Sequence, residues 1–124
     1  KVIFIYFGFN QEYMENQSLL LGLTGDMPLF RIIDFLVENK GLDFSKKDIS
    51  EGAGLSRASL FNHWPRIERF GLVKVTRSFG KTKLYSLNTD NPLTKKILEL
   101  EVTLIRQAMA VAAEQKKETA IARA

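Results

Sequence analysis

The chain has 124 residues, no cysteine and a formal net charge of +4, and 45% of its residues are hydrophobic. This length is enough to bury one core but leaves little for a second. The absence of cysteine excludes disulfides, thiol catalysis and thiolate metal sites.

The positive charge is concentrated in the middle of the sequence. Residues 45–83 include nine Lys or Arg and three acidic residues, a net charge of +6, whereas the rest of the chain sums to −2. Such an asymmetry favours a polyanionic partner for the middle segment.

The first nine residues, KVIFIYFGF, form an apolar run. The run is too short to span a bilayer, and no small-residue cleavage site follows it. Two interpretations stay open: an extra β-strand, or an upstream extension of a protein whose natural start is Met14. We assign residues 1–16 to an N-terminal extension.

The first strong helical pattern follows Asp26. An acidic N-cap with Pro28 in the first turn predicts a helix over residues 27–39, and Gly41 lies just past its end. The preceding LLLGLTG is expected to add a short helical turn packed on it.

A second and a third helix follow with a short turn between them. Ser45 is the expected cap of KKDISEGA, with Asp48 favoured three residues later, and Ser56 opens the next helix after Gly54. Two helices joined by a glycine-containing turn are typical of a helix-turn-helix.

Beyond Gly71 the hydrophobic period changes from 3.6 to 2. The runs LVKVTRS and KLYSLN predict two strands of a hairpin with a basic tip, in which Val73 and Val75 alternate on one strand, and Tyr85 and Leu87 on the other.

A last helix is predicted from Pro92 to the end of the chain, because no proline or glycine interrupts it. An apolar stripe at spacings of four and three predicts a dimer interface made of Leu98, Val102, Ile105, Met109 and Ala112. Alternatively, the helix folds back onto its own chain only.

The predicted fold is mainly α with a small β-hairpin wing: a winged helix-turn-helix over residues 17–92 and a C-terminal dimerisation helix over residues 93–124. The pieces LSRASLFNHW, FGLVKVTR and KLYSLNTDNPLTKKILELE resemble the archaeal-type winged-helix transcriptional regulators, broadly those of the MarR and ArsR groups. The resemblance covers roughly residues 17–105. It implies a dimer that places its third helix in the major groove and its wing against the backbone or minor groove.

The third helix is expected to present two faces. Leu60, Trp64, Ile67 and Phe70 recur at core spacing. The opposite face predicts base contacts by Arg57, Ser59, Phe61 and Asn62, since Arg pairs with guanine, Asn with adenine, and Phe with a thymine methyl. Phe61 could instead pack under the wing, and Arg57 could be a solvated residue at the helix start.

Phosphate contacts are predicted at the helix starts, just past Pro65 and on the wing, where cations or helix N–H groups face outward. The predicted residues are Ser45, Lys46, Lys47, Ser56, Arg66, Arg77, Lys81 and Lys83. Any one lysine among them could simply be solvated.

Pro65 lies in the middle of the predicted third helix. It removes a backbone hydrogen bond and crowds the carbonyl of Phe61, at a cost of about 3 kcal/mol in a helix interior. We therefore expect a kink or break at residues 62–64, with Trp64 as its anchor and Phe61 turned toward DNA.

Signals of catalysis or metal binding are absent from the sequence. His63 is the only histidine, with no metal-ligand spacing around it, and GLTGD and GAGLSRA lack the features of phosphate-binding loops. No enzyme activity, cofactor, metal or membrane association is expected.

The leading hypothesis is a dimeric, sequence-specific regulator that binds double-stranded DNA in the cytoplasm, associated with the nucleoid. The alternative is a winged-helix module for protein–protein interaction within a larger transcription or replication complex. A ligand-responsive regulator is a third possibility, and its small-molecule effector is unknown.

Overall fold

The computed structural model describes residues 17–123. These residues form five helices and three strands. In chain order the elements are α1 (Leu19–Thr24), α2 (Pro28–Glu38), β1 (Asp43–Phe44), α3 (Lys46–Gly52), α4 (Arg57–Arg69), β2 (Val73–Phe79), β3 (Thr82–Leu87) and α5 (Pro92–Arg123). The mainly helical winged-helix architecture is confirmed, and the expectations for residues 1–16 lie outside the described residues.

The first two helices pack together as expected, but they begin differently. Ser18 caps α1 by accepting a hydrogen bond from the Leu21 N–H at 3.1 Å. The N-cap of α2 is Met27, which makes no side-chain capping bond, so the assignment of Asp26 as the cap is wrong. The Asp26 carboxylate instead pairs with the Arg31 guanidinium, a charged donor stronger than a backbone N–H.

Side-chain capping fixes both helices of the helix-turn-helix. At α3 the Ser45 hydroxyl accepts from the Asp48 N–H, and the Asp48 carboxylate accepts from the Ser45 N–H, each at 3.1 Å. At α4 the Ser56 hydroxyl accepts from the Ser59 N–H at 3.1 Å. Both predicted caps are confirmed, and each satisfies donors that would otherwise lack a partner.

Helix α4 runs without interruption through Pro65. Leu60, Trp64 and Ile67 lie on both sides of the proline and are buried in the core, while Pro65 itself is exposed. Packing of these three side chains holds the two halves of the helix in line, so the predicted break is wrong. A smooth kink of the helix axis stays a prediction.

The wing belongs to a three-stranded antiparallel sheet in the order β1-β3-β2, so the hairpin has an extra strand that the sequence did not predict. The central strand β3 buries Tyr85 and Leu87. The alternation expected on β2 fails, because Val75 is 49% exposed on an edge strand whose register shifts between Val75 and Arg77. Phe70, the C-cap residue of α4, is 54% exposed, so the expectation that it belongs to the core is wrong.

A clasp defined by Asp43, Thr76 and Arg77 ties β1 to the wing. The Arg77 Nε and Nη2 donate to the two Asp43 carboxylate oxygens at 2.9 Å each, and the Thr76 hydroxyl donates to the same carboxylate at 2.6 Å. These bonds, with that from Arg77 the largest cause, lower the pKa of Asp43 from 3.8 to about 2.

The core lies where α1, α2, α3, α4 and β3 meet. Its buried apolar residues are Leu20, Ile32, Ile33, Leu36, Val37, Ile49, Leu60, Trp64, Ile67, Leu72, Tyr85 and Leu87. One flank of α5 packs on α1, where Leu104 and Val111 face Leu19 and Leu23. Among residues 17–123, no helix has both the length and the apolar character needed to cross a membrane.

Replacement by alanine should have opposite effects on stability at two glycines, Gly52 and Gly22. A Cβ at Gly52 would overlap the Phe35 ring, which already packs edge-on against Phe44 with centroids 4.9 Å apart, whereas a Cβ at Gly22 meets nothing within 4 Å. Gly52→Ala should therefore destabilise the fold by about 1–3 kcal/mol. Gly22→Ala should stabilise it by about 0.5–1 kcal/mol through lower chain entropy. Urea unfolding measures both; shifts of the same sign would contradict this packing.

The clasp predicts a specific acid titration. Because the folded-state pKa of Asp43 is depressed, the stability it contributes is complete above pH 3.8 and is lost as pH falls toward 2. In an NMR titration, Arg77→Met should raise the Asp43 midpoint the most, and Thr76→Val should raise it less. A midpoint near 3.8 in the unmodified chain, or one that ignores Arg77→Met, would exclude the clasp.

Candidate nucleic-acid interface

A cleft of about 560 Å³ lies between α3, α4 and the wing. Five cations from three separate elements meet there: Lys46 and Lys47 from α3, Arg57 from α4, and Lys81 and Lys83 from the wing. The remaining lining residues are Ser45, Phe61, Thr82 and Tyr85. The fold thus brings most of the predicted DNA-contacting residues to one basic surface.

The exposed face of α4 carries the predicted base-reading residues. Arg57, Phe61 and Asn62 are exposed, and Phe61 has 53% of its surface open, so it is not packed under the wing. Ser59 is half-buried, and its N–H is bonded to the Ser56 hydroxyl. Three of the four residues are therefore free to meet a partner, and their contacts with bases stay a prediction.

The two capping serines have few hydrogen-bonding groups left to bind a phosphate. The Ser45 N–H is already given to the Asp48 carboxylate, and the Ser45 hydroxyl oxygen accepts the Asp48 N–H. A serine hydroxyl in this position still has its own hydrogen to donate. The same holds for Ser56, whose oxygen accepts from Ser59.

The adjacent lysines at the start of α3 have different surroundings. Lys47 is exposed, and its ammonium lies 4.0 Å from the Glu51 carboxylate in an i,i+4 pair. Lys46 is half-buried, and its ammonium lies over the rings of Phe61 and Tyr85, which also line the cleft. The two side chains, treated alike in the sequence prediction, are therefore different in structure.

Two predicted phosphate-contacting arginines lie outside the cleft lining. Arg66 is exposed in the last turn of α4. Arg77 is engaged in the clasp with Asp43, and its guanidinium also lies 5.5 Å from the centroid of the Phe79 ring. Within the described residues, Arg77 therefore stabilises the position of the wing. Its contact with a phosphate stays a prediction.

The sequence prediction missed several residues that shape the cleft. Tyr85 and Thr82 line it, although alternation on β3 had indicated only that Tyr85 faces inward. Asp43 and Thr76 orient the wing through Arg77. A contact between residues 34 positions apart leaves no local pattern in a sequence, so no signal was available for the clasp.

His63 has a structural environment. It is half-buried, and its Nδ1 lies 2.8 Å from the Ser59 carbonyl oxygen. Because a carbonyl only accepts hydrogen bonds, Nδ1 must carry the proton in this contact. Among residues 17–123, no group of three or more His, Cys, Asp or Glu side chains has the arrangement of a metal site.

A second cleft, of about 450 Å³, lies on another face, between α1, α2 and the end of α3. Asp34 and Glu38 line it, and burial raises the pKa of both carboxyl groups. The neighbouring charges of Asp34 and Glu101 raise the pKa of Glu38 further. This cleft is acidic, in contrast to the basic one.

No protein-family model and no curated protein sequence matches the chain. Solved structures do resemble it. MepR, a transcription regulator of the Staphylococcus aureus multidrug efflux pump MepA, has a TM-score of 0.61 and 12% identity, over 99% of this chain and 93% of MepR. The S. aureus MepR–DNA complex has a TM-score of 0.60 and 13% identity, over 98% of this chain and 96% of the matched chain. Lactococcus lactis ZitR has a TM-score of 0.51 and 17% identity, over 94% of this chain and 79% of ZitR.

At these identities the similarity concerns the fold. MepR matches this chain along nearly its whole length. The archaeal type stays a prediction. The chain has the winged-helix fold, and the predicted resemblance to winged-helix proteins is confirmed at the level of the fold.

Proposed function

We propose that this chain is a homodimeric transcription regulator that binds double-stranded DNA sequence-specifically, without enzymatic activity, in the cytoplasm on the nucleoid. The observation that carries the proposal is the convergence of five cations from α3, α4 and the wing on one cleft beside the exposed face of α4. Clustering of this kind is the electrostatic footprint expected of a nucleic-acid-binding surface.

The shape of this surface fits duplex DNA. Helix α4 has 13 residues, which correspond to about 20 Å, and its first two turns carry Arg57, Phe61 and Asn62 outward. A major groove admits a helix of this width, and these side chains are suited to base edges. The wing then lies over the adjacent backbone or minor groove, where Lys81 and Lys83 neutralise phosphates.

The comparisons support the proposal at the level of fold. A structure of MepR bound to DNA has the same overall architecture as this chain over 98% of its length. Fold alone does not decide function, since winged helices also serve as protein–protein modules. The basic cleft favours DNA over a protein partner, because a protein interface usually has few charges at its centre.

Dimerisation is proposed through α5. One flank of this helix packs on α1, and Leu98, the first residue of the predicted interface, is half-buried against the core of its own chain. The other predicted interface residues are exposed along a single stripe on another side: Val102, Ile105, Met109 and Ala112. Met109 has 66% of its surface open. Single exposed apolar residues are common, but a row at helical spacing is typical of a helix that pairs. A second copy would bury it.

Selection of bound sequences from random duplexes tests the proposal directly. A dimer with two α4 helices should enrich a palindrome whose half-sites lie about 34 Å apart, and binding should weaken steeply with salt. Arg57→Ala should relax specificity at one base position, at a cost of about 1–3 kcal/mol. Lys81→Ala, the control in the same cleft, should weaken all sequences alike and reduce the salt slope by about 1.

The outcome of this selection also separates the two hypotheses. No enriched sequence, together with salt-insensitive capture of a protein, would contradict DNA binding and favour the protein–protein module.

A charge placed on the exposed stripe should prevent dimerisation. Ile105→Glu would bury an unpaired carboxylate in the proposed interface, so sedimentation at micromolar concentration should show a monomer. Ala110→Glu is the matched control, since this exposed residue lies about 140° away around the helix and should leave the dimer intact. Equal effects of the two substitutions, or a monomeric unmodified chain, would contradict an α5 interface.

A further inference from the structure

The Lys46 ammonium lies against three aromatic rings. Its Nζ is 5.5 Å from the centroid of Phe61, 5.6 Å from that of Trp64 and 5.8 Å from that of Tyr85. All three distances are within the range at which a cation is attracted by the face of an aromatic ring. We call Lys46 and these three rings the aromatic box.

The box joins three elements of the DNA-facing surface. Lys46 is the first residue of α3, Phe61 and Trp64 belong to α4, and Tyr85 belongs to β3. Trp64 and Tyr85 are buried and in edge-to-face contact, with centroids 4.9 Å apart, so the core already fixes both rings. Phe61 is the exposed member, and the ammonium is the group that links it to the fixed pair.

Lys46 has no competing attachment in the described part of the chain. Its neighbour Lys47 pairs with Glu51, whereas Lys46 forms no ion pair with any acidic side chain in residues 17–123. Lys46 is also half-buried and Lys47 exposed. The aromatic rings are therefore the principal partners of its charge.

We propose that Lys46 is a positioning residue that holds the Phe61 ring toward a thymine methyl in the major groove, and that it does not bind a phosphate. This inference rests on the proposed DNA-binding function and revises the phosphate contact predicted for Lys46 from the sequence. The attraction between cation and ring depends on the ring face, so it restricts rotation of Phe61. An ordered ring loses less entropy when a base packs on it.

The aromatic box is tested first without DNA. Ring currents from the three rings should shift the ε-methylene protons of Lys46 upfield in NMR spectra, while those of Lys47 stay at ordinary positions. Phe61→Leu should reduce the shift in part, because Trp64 and Tyr85 remain. Equal shifts for the two lysines would overturn the proposal, whether or not the chain binds DNA.

The second test uses the adjacent lysines as a matched pair. Comparing the DNA sequences bound by the Phe61→Ala variant and by the unmodified chain first identifies the thymine that Phe61 contacts. Replacing that thymine by deoxyuridine removes only its methyl group, and should weaken binding by the unmodified chain about fourfold. Lys46→Met should abolish this discrimination and leave the salt slope unchanged, while Lys46→Arg should restore the discrimination because a guanidinium also stacks on rings.

The control is Lys47→Met, which should reduce the salt slope by about 1 and keep the fourfold methyl discrimination. In a double variant, Lys46→Met should add nothing to the discrimination already lost in Phe61→Leu. A Lys46→Met variant that behaves like Lys47→Met, or the absence of any thymine that depends on Phe61, would overturn the proposal. Failure of DNA binding with the NMR shift intact would contradict the proposed function and, with it, the thymine contact, but it would leave the aromatic box itself standing.

Discussion

Packing of Trp64 against Tyr85 is the contact on which the geometry of the basic surface depends. It joins the middle of α4 to the central strand of the sheet, with both rings buried and their centroids 4.9 Å apart. Edge-to-face pairs gain from ring electrostatics in addition to burial. Because the position of α4 relative to the wing is fixed here, the cations of α3, α4 and the wing converge on one cleft. The same contact helps to keep α4 continuous through Pro65.

Much of the architecture could be predicted from local features of the sequence. The serine caps at Ser45 and Ser56 depend on bonds to residues three positions away, and the core face of α4 depends on spacings of three and four. Such short-range patterns are preserved in sequence whatever the rest of the chain does. The order of the helices and of the hairpin followed from them, and the charge count of residues 45–83 indicated the basic surface.

Features that depend on tertiary contacts could not be predicted in this way. β1 is only two residues long and exists because β3 pairs with it, so no alternating run in the sequence predicts it. Val75 is exposed on the edge strand β2 although the sequence alternates there. Lys46 and Lys47 are chemically identical, and only the fold places one of them over three rings. In each case the deciding partner lies far away along the chain.

The clasp between Asp43 and Arg77 also sets which partner must adapt during recognition. Asp43 lies two residues before the cap of α3, so its bonds to Arg77 hold the wing at a fixed distance from the helix-turn-helix. In the proposed complex the distance between α4 and the wing is therefore fixed. The duplex then has to adjust its groove width to this distance. Sequences that are stiff at the wrong width would pay a deformation energy even at base pairs that no side chain contacts.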